Sequence, residues 1–280
     1  MKNIVVGIDF SKTSILAFGY ALNVARKTNS DLILINVQKH LDYEVPLAAG
    51  EKPTPESIHQ QFETLVAKRR QDFPGRIEYT VREGKVHQEI SNQAKYSDAW
   101  LVVMGAHGLS GFEEYWVGTD SYRVVATCMI PVITVRKGYD IHRNLQRVVI
   151  PIDSTPETVQ KLPLTLDLAK QYGARIHLLS LYSSGTPSTR EKVDSNTHAA
   201  LRLVEMAGLD MVLNDAQAEN LTTAAIEYAR KVDADLISIM TEQEFAPHNI
   251  FLGPFAQQMV NRSPIPVLSL HAKPLVRENF

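Results

Sequence analysis

Residues 105–119 (GAHGLSGFEEYWVGT) are the part of this chain best suited to bind phosphate. Two residues separate Gly105 from Gly108, and nine separate Gly108 from the Gly118-Thr119 pair. Glycine lets a backbone approach an oxyanion closely, and unpaired N–H groups at a helix start favour negative charge. Because an apolar, strand-like run precedes the segment and a helix is predicted after it, we predict an anion-binding loop.

This loop differs from two well-known nucleotide-binding loops. The glycines at 105, 108 and 111 follow the fourth predicted strand, whereas the dinucleotide fingerprint follows the first. The chain has no G-x-x-x-x-G-K-[ST] sequence, so the lysine of a Walker loop is missing. The alternative is a tight strand-to-helix connection, and the added Gly118-Thr119 pair favours phosphate binding over it.

Asp9, at the end of the first predicted strand, is a candidate for contacting ribose hydroxyls or a magnesium ion. The alternative is that Asp9 caps the helix predicted from near Thr13, and the residue itself does not separate these roles. Thr119 and Ser121 could donate hydroxyl groups to phosphate or act as ordinary helix caps. His107 lies inside the loop, where we favour an exposed loop residue over a contact with a terminal phosphate.

No set of residues in the sequence has the spacing of a catalytic or metal centre. The nine histidines include no H-x-x-x-H or H-E-x-x-H pair, and the single cysteine, Cys128, excludes a thiolate cluster. Ser110 misses the G-x-S-x-G pattern by one position, and the adjacent Glu113 and Glu114 are interpreted as surface charges. The sequence therefore nominates neither a nucleophile nor a general base.

Composition limits the class of protein. At 280 residues, with 44% hydrophobic and 21% charged residues, the chain is long enough for two folded domains. A net charge of −2 gives no basic field for nucleic acid, and no run reaches the roughly 20 apolar residues that span a bilayer. The lone Cys128 cannot form an internal disulfide, which fits a reducing compartment. We therefore expect a cytoplasmic protein without nucleic-acid or membrane partners.

The chain contains two copies of one pattern. Residues 3–11 (NIVVGIDFS) match residues 147–155 (RVVIPIDST), each an apolar strand followed by an aspartate and a hydroxyl, at an offset of 144 residues. Toward the end of each copy the offset is 135, which pairs the Ile-Pro-Val runs at 130–132 and 265–267. The second copy is nine residues shorter, and we place the difference in a surface loop predicted at 46–55.

Each copy alternates strands with helices. The first copy has predicted strands at about 3–9, 31–37, 77–82, 99–104 and 131–136, and predicted helices near 13–28, 55–72, 86–96 and 119–127. Short Val/Ile/Leu-rich strands separated by helices predict a parallel sheet covered on both faces. The fold class is α/β, with two tandem doubly wound five-stranded sheets in domains 1–140 and 145–280, joined by a short linker at 137–146.

Ligands of such sheets bind at the carboxyl ends of the strands. Asp9, Val37 and Gly105 all lie at predicted strand ends, so they share one crevice if the first and fourth strands are neighbours. In place of Gly105, Gly108, Gly118 and Thr119, the second copy has Met240, Gln243, Gly253 and Pro254. Bulky side chains and a proline without an N–H are incompatible with a phosphate loop, so the second copy is predicted to lack the nucleotide site.

Taken together, these residues resemble a tandem universal stress protein. Nucleotide-binding members of that family carry G-x2-G-x9-G-[ST], which Gly105, Gly108, Gly118 and Thr119 match without gaps. Such members also carry an aspartate after the first strand, matched by Asp9, and a small apolar residue closing the second, matched by Val37. The resemblance covers nearly the whole chain, including the closing Ile-Pro-Val strand of both copies.

The resemblance implies an adenine-nucleotide site in the first copy, with adenine near Asp9 and Val37 and phosphates along residues 105–121. ATP is the expected ligand, with Mg²⁺ or Mn²⁺, and Asp9 is a candidate metal contact. The candidate nucleotide-binding residues are Gly7, Ile8, Asp9, Val37, Met104, Gly105, His107, Gly108, Gly118, Thr119, Asp120 and Ser121. The resemblance also implies that the last strands of the two copies, ending at 134–135 and 269–270, pair into an internal pseudo-dimer.

We therefore expect a stress-response ATP-binding protein with one nucleotide per chain, in which ATP acts as a conformational or assembly switch. A homodimer and a protein partner of unknown identity are compatible with that role. The alternatives are a slow Mg-dependent ATPase or adenylate-transferring enzyme, and a partner-binding module in which nucleotide only stabilises the fold. Adenylate transfer is disfavoured because neither H-x-G-H nor S-G-G-x-D occurs.

Overall fold

Strands and helices alternate along both halves of the computed structural model, which describes residues 2–38, 54–106, 120–183, 186–241, 243–246 and 249–273. In the first half, every predicted strand and helix is present within two residues of its predicted bounds. Those elements are β1 (Lys2–Gly7), α1 (Lys12–Thr28), β2 (Ser30–Gln38), α2 (Pro55–Arg70), β3 (Ile77–Glu83), α3 (Val86–Tyr96), β4 (Ala99–Ala106), α4 (Asp120–Thr127) and β5 (Val132–Arg136).

The second half shows the same order, and its described residues include a hairpin after the fourth strand. Its elements are β6 (Arg147–Ile152), a 3₁₀ segment (Pro156–Lys161), α5 (Leu162–Tyr172), β7 (Arg175–Tyr182), α6 (Pro187–Ala207), β8 (Met211–Gln217), α7 (Leu221–Lys231), β9 (Leu236–Thr241), β10 (Gln243–Ala246), β11 (Asn249–Leu252), α8 (Pro254–Arg262) and β12 (Val267–His271).

Ten of the strands form one sheet in the order β3-β2-β1-β4-β5-β12-β9-β6-β7-β8. Neighbouring strands are parallel within each half, which confirms the predicted doubly wound α/β fold. The halves join where β5 and β12 run antiparallel, with Thr134 opposite Val267 and Val132 opposite Ser269. This pair of strands, called the seam below, confirms the predicted pairing of the last strands and unites the two five-stranded sheets.

Apolar side chains fill both faces of the sheet. Helices α1, α2, α5 and α6 cover one face and α3, α4, α7 and α8 the other, and each core contains residues from both halves. On β1, Ile4, Val5 and Val6 are completely buried, and burial of each such side chain stabilises the fold by about 1.5–3 kcal/mol. Because both cores cross the seam, the halves are packed together as well as hydrogen-bonded.

Helix α1 begins directly after β1 and so faces the predicted crevice. The Ser11 side chain accepts a hydrogen bond from the Ser14 N–H and caps the first turn. Asn29 ends the helix in the left-handed conformation at φ 50°, as its position in the sequence predicts. None of the helices in the described ranges combines the length and the apolar character needed to cross a membrane.

The halves differ between their second strand and second helix. Residues 39–54 make that connection in the first half and residues 183–186 in the second, which agrees with the predicted position of the shortening. Positions 46–53 of the surface loop predicted at 46–55 lie outside the described residues. Pro55, the last position of the predicted loop, is the first residue of α2.

After its fourth strand, the second half forms an element that the sequence does not predict. The second half forms the antiparallel hairpin β10–β11 at the positions that correspond to the glycine segment. The sequence predicts a changed segment here, but not a hairpin. The first turns of the helix equivalent to α1 are also wound as a 3₁₀ segment, and this segment and α5 together match α1 in length.

Candidate functional site

A cleft of about 350 Å³ opens at the carboxyl ends of β1, β2 and β4. It is lined by Gly7, Ile8, Asp9, Ser11, Ser14, Ile35, Val37, Val86, Ile90, Met104, Gly105, Asp120 and Ser121. The structure therefore brings together all the candidate residues that it describes, from Gly7 to Ser121. The other four candidates, His107, Gly108, Gly118 and Thr119, lie outside the described residues.

Five residues of the cleft are absent from the predicted set, namely Ser11, Ser14, Ile35, Val86 and Ile90. Ile35 lies two residues before Val37 on the same face of β2, so strand alternation could have found it. Val86 and Ile90 lie one turn apart on α3, and only the packing of α3 against the sheet places them here.

Asp9 does not cap α1, because Ser11 takes that role. One carboxylate oxygen of Asp9 accepts a hydrogen bond from the Ser11 N–H at 2.9 Å, and the Asp9 N–H donates to the Ser14 hydroxyl at 3.3 Å. These bonds fix the turn between β1 and α1 and hold the exposed Asp9 carboxylate at the edge of the cleft.

The inner wall of the cleft is apolar. Ile35, Ile90 and Met104 are buried there, and Val37 is half-buried at the end of β2. Such a wall suits a flat ring, because apolar area removed from water by a ligand contributes to binding without directional requirements.

Gly105 is required by packing. A Cβ at this position would lie 2.8 Å from the carbonyl carbon and oxygen of Thr13 and 2.9 Å from the Ser14 nitrogen, all backbone atoms of α1. Strand β4 thus passes too close to the first turn of α1 for any side chain. This contact explains the glycine without a phosphate, so Gly105 by itself gives less support to the anion-loop prediction than its spacing suggests.

Two helix starts meet at the cleft. Ser11 and Ser14 belong to the start of α1, and Asp120 and the buried Ser121 begin α4. The N-terminal ends of helices carry partial positive charge and N–H groups that favour an anion. The polar side of the cleft can therefore hold phosphate oxygens.

The donor set fits a magnesium ion only when a ligand supplies further oxygens. Asp9 and Asp120 line the cleft, whereas no group of three metal-ligating side chains occurs among the described residues. Magnesium in nucleotide sites is commonly held by one or two carboxylates together with phosphate oxygens and water.

Groups for proton transfer are scarce in the described lining, which contains no histidine, lysine or cysteine. His87, next to Val86 on α3, is near the cleft, but burial and the charges of Arg123 and Lys85 lower its pKa. The acid–base groups of the described lining are the carboxylates of Asp9 and Asp120.

The corresponding region of the second half is built differently. Gly105 pairs with Val135 on β5, and Met240 pairs with Leu270 on β12, so the buried Met240 occupies the position of Gly105. Pro254 is the first residue of α8, which leaves that helix start without one N–H donor. The side chain of Gln243 lies outside the described residues.

A buried lysine also distinguishes the second half. Lys161 occupies the position of Ala17 in the repeat and is 2% exposed, and its ammonium group donates to the carbonyl and hydroxyl oxygens of Thr158 at 2.6 and 2.9 Å. Burial lowers the pKa of Lys161 to about 8, although the charge of Asp153 acts in the opposite direction.

Comparison with known proteins gives one consistent result. The model of the universal stress protein family matches residues 1–136 and 144–271. The universal stress protein YxiE of Bacillus subtilis is 26% identical over 146 residues, which are 48% of this chain and 99% of that protein.

Solved structures match the whole chain. A universal stress protein from Archaeoglobus fulgidus DSM 4304 has a TM-score of 0.71 at 14% identity, over 96% of this chain and 98% of its own. A putative universal stress protein from Pseudomonas aeruginosa UCBPP-PA14 has a TM-score of 0.67 at 15% identity, over 97% and 94%. These two likenesses show the fold.

A solved universal stress protein in complex with cAMP covers 47% of this chain and 100% of its own, with a TM-score of 0.39 at 20% identity.

Proposed function

The chain belongs to the universal stress protein family, and on this premise we propose that it is a stress-response protein that binds one ATP per chain in the cleft of its first half. The observation that carries the proposal is the convergence of candidate residues from β1, β2, β4 and α4 on one cleft of about 350 Å³. That volume lies within the range of small-molecule sites.

In this proposal the adenine ring lies against the apolar wall near Val37, and the ribose hydroxyls donate to the exposed carboxylate of Asp9. The phosphates extend toward Ser121 and the start of α4. A magnesium ion bound with the phosphates supplies charge neutralisation, and Asp9 is the candidate protein contact.

The proposed switch depends on helix α4, because α4 begins at the cleft and also contacts the second half. The Tyr122 hydroxyl accepts a hydrogen bond from the Leu252 N–H of β11 at 3.3 Å. ATP can shift the arrangement of the hairpin or the assembly of the chain only by the difference between its affinities for the two states.

The two halves provide a matched pair of variants for testing the site. Asp9→Ala removes the proposed ribose and metal contact, whereas Asp153→Ala removes the aspartate at the equivalent position of the second half. We expect calorimetric titration with ATP and magnesium to give one site per chain. Asp9→Ala should weaken that site by about tenfold or more, because hydrogen bonds to charged groups contribute about 1.5–3 kcal/mol.

Two results would contradict this proposal. One is a stoichiometry of two nucleotides per chain, and the other is an equal loss of affinity in the two variants. Because the described lining has no histidine, lysine or cysteine beside the carboxylates of Asp9 and Asp120, ATP turnover with magnesium should stay near the background rate in a single-turnover assay. Rapid turnover that disappears in Asp9→Ala would instead favour the ATPase alternative.

A further inference from the structure

A second cleft, called the linker cleft below, lies between α1, the connection from β5 to β6, and the end of α5. Its volume is about 180 Å³, and its walls include Tyr20 and Lys27 of α1, Tyr139 and Arg143 of the connection, and Tyr172 of α5. Both halves and the linker contribute to it. The two clefts share no lining residue, and their nearest members on α1, Ser14 and Tyr20, are six positions or about 9 Å apart along the axis, so the linker cleft is separate from the proposed ATP cleft.

Tyr20 lines the linker cleft, and its hydroxyl group is buried without a partner among the described residues. Tyr20 is 6% exposed, and its hydroxyl makes no hydrogen bond within the described part of the chain. The other two tyrosines are satisfied, because Tyr139 donates to the carbonyl of Asp235 and Tyr172 to the carbonyl of Asn23, each at 3.2 Å. Leaving a buried hydroxyl unpaired costs about 1–3 kcal/mol, so this group calls for an acceptor.

Burial raises the pKa of Tyr20 well above its usual value, and the neighbouring Tyr139, Tyr172 and Asp235 act in the same direction. The phenol is therefore protonated at neutral pH, so its hydrogen is available to an acceptor.

The charged side chains in the lining of the linker cleft are cationic, although the carboxylate of Asp235 acts on Tyr20 from outside the lining. The described lining includes Arg26, Lys27 and Arg143 but no carboxylate, although the chain as a whole has a net charge of −2. Arg143 is already paired with Asp233 and Asp235, both at 2.7 Å. Neither Arg26 nor Lys27 is ion-paired with a described carboxylate.

The walls are aromatic as well as cationic. The Tyr20 and Tyr139 rings meet edge to face with their centroids 6.0 Å apart, and the Lys27 ammonium lies 5.8 Å from the centroid of the Tyr172 ring. A cavity of about 150 Å³ holds one benzene molecule, so a volume of about 180 Å³ suits a single six-membered ring with a small substituent.

We infer that the linker cleft binds a small monocyclic aromatic acid, whose carboxylate accepts the Tyr20 hydrogen bond near Arg26 and Lys27 while its ring lies among the tyrosines. Because the walls come from both halves, the bound acid would contact the linker and the two repeats at once.

Benzoate is the probe for this inference, and calorimetric titration of the full chain is the measurement. Wild-type protein should bind benzoate at one site, and Tyr20→Phe should weaken binding by about tenfold or more because it removes only the hydroxyl. Lys27→Met should weaken binding as well. Tyr96→Phe is the matched control, since Tyr96 is 86% exposed and lies outside the cleft, and it should bind as the wild type does.

A thermal melt separates this inference from a purely structural role of Tyr20. Without ligand, Tyr20→Phe should melt no lower than the wild type because it removes an unpaired buried hydroxyl. Benzoate should raise the melting temperature of the wild type and of Tyr96→Phe more than that of Tyr20→Phe. The inference is wrong if wild-type protein does not bind benzoate, if Tyr20→Phe binds it equally well, or if inorganic phosphate binds the cleft as tightly as benzoate.

Discussion

Gly105 and Met240 occupy the same register position in the two halves, opposite Val135 and Leu270. The close approach of α1 to β4 admits no side chain at Gly105, whereas the second half buries a methionine at this point. The two repeats therefore differ in packing at this position.

Gly105→Ala tests this packing directly. The added Cβ would press against backbone atoms of α1 at 2.8 Å, so we expect the free energy of unfolding to fall by about 1–3 kcal/mol in urea titration. Met240→Leu conserves volume and should cost less than about 1.5 kcal/mol. A Gly105→Ala variant as stable as the wild type would show that α1 is not held against β4.

The buried Lys161 predicts how stability depends on pH. Its pKa is lowered to about 8 in the folded chain from an ordinary value of 10.5, so between these values the unfolded chain binds more protons. The free energy of unfolding should therefore rise with pH from about 8 to 10.5, by up to about 1.4 kcal/mol per pH unit. As pH falls through 8, Lys161 is protonated in the folded chain too, and this contribution to stability is lost.

Lys161→Met removes this titration. Relative to Lys161→Met, the wild type should gain free energy of unfolding from pH 8 to pH 10. Denaturant titration of both proteins at several pH values measures this change. Lys170→Met, at an exposed position of α5, is the control and should give a constant difference. A constant difference for Lys161→Met as well would mean that its ammonium group is solvated in the folded chain.

At the scale of single residues, the sequence predicted those members of the site that lie on strand ends. Asp9, Val37 and Gly105 follow from the rule that ligands meet the carboxyl ends of parallel strands. Val86 and Ile90 could not be predicted in this way, because their place in the cleft depends on how α3 packs. The orphaned hydroxyl of Tyr20 has no sequence signal at all.

Among the elements, α4 has two roles. Its first turn lines the cleft in which we propose that ATP binds, and the Tyr122 hydroxyl accepts a hydrogen bond from the Leu252 N–H of the hairpin β10–β11. The hairpin therefore connects the altered segment of the second half to the site proposed in the first half.

Tyr122→Phe breaks this connection and keeps the ring. The buried Leu252 N–H would lose its acceptor, so the free energy of unfolding should fall by about 1–3 kcal/mol in denaturant titration. If the proposed switch operates through α4, the variant should also change ATP affinity. Unchanged stability and unchanged ATP affinity would remove the hairpin from the mechanism.

At this scale too, prediction succeeded where periodicity decides the structure. Helix α1 follows from its apolar spacing and from Asn29 at its end, both visible in the sequence. The hairpin was missed because its two strands have only four residues each and replace a segment interpreted as a loop, and the 3₁₀ winding before α5 has no distinct residue pattern.

At the scale of the whole molecule, the seam joins the sheets of the two repeats into one ten-stranded sheet. Each repeat has an outer edge strand, β3 or β8, and buries the edge of its last strand against the other repeat. An isolated repeat would expose that last strand, and exposed strand edges pair with other chains.

A truncated chain of residues 1–140 should therefore self-associate through β5. Sedimentation velocity should give a dimer for this fragment, and replacing Ile133, which faces Leu268 across the seam, with proline should shift it toward monomer. The same experiment tests the domain boundary predicted from the sequence. A folded fragment that stays monomeric would show that β5 is protected without β12.

The whole-molecule arrangement could be predicted because of the repeat itself. The two offsets and the closing Ile-Pro-Val runs identify which strands end each copy, and the resemblance implies that these strands pair. The linker cleft could not be predicted, because it arises from the way α1, Tyr139 and Tyr172 meet only after the repeats have docked.

During synthesis, one strand of the seam is made well before the other. Strand β5 ends at Arg136, and β12 begins 131 residues later at Val267. At about 5–20 residues per second, a ribosome needs roughly 7–26 s to make this stretch, and the edge of β5 has no partner from its own chain during that interval. The nascent first repeat is then most vulnerable to pairing with a neighbouring chain on the same message, so its folding in the cell depends on the speed of translation.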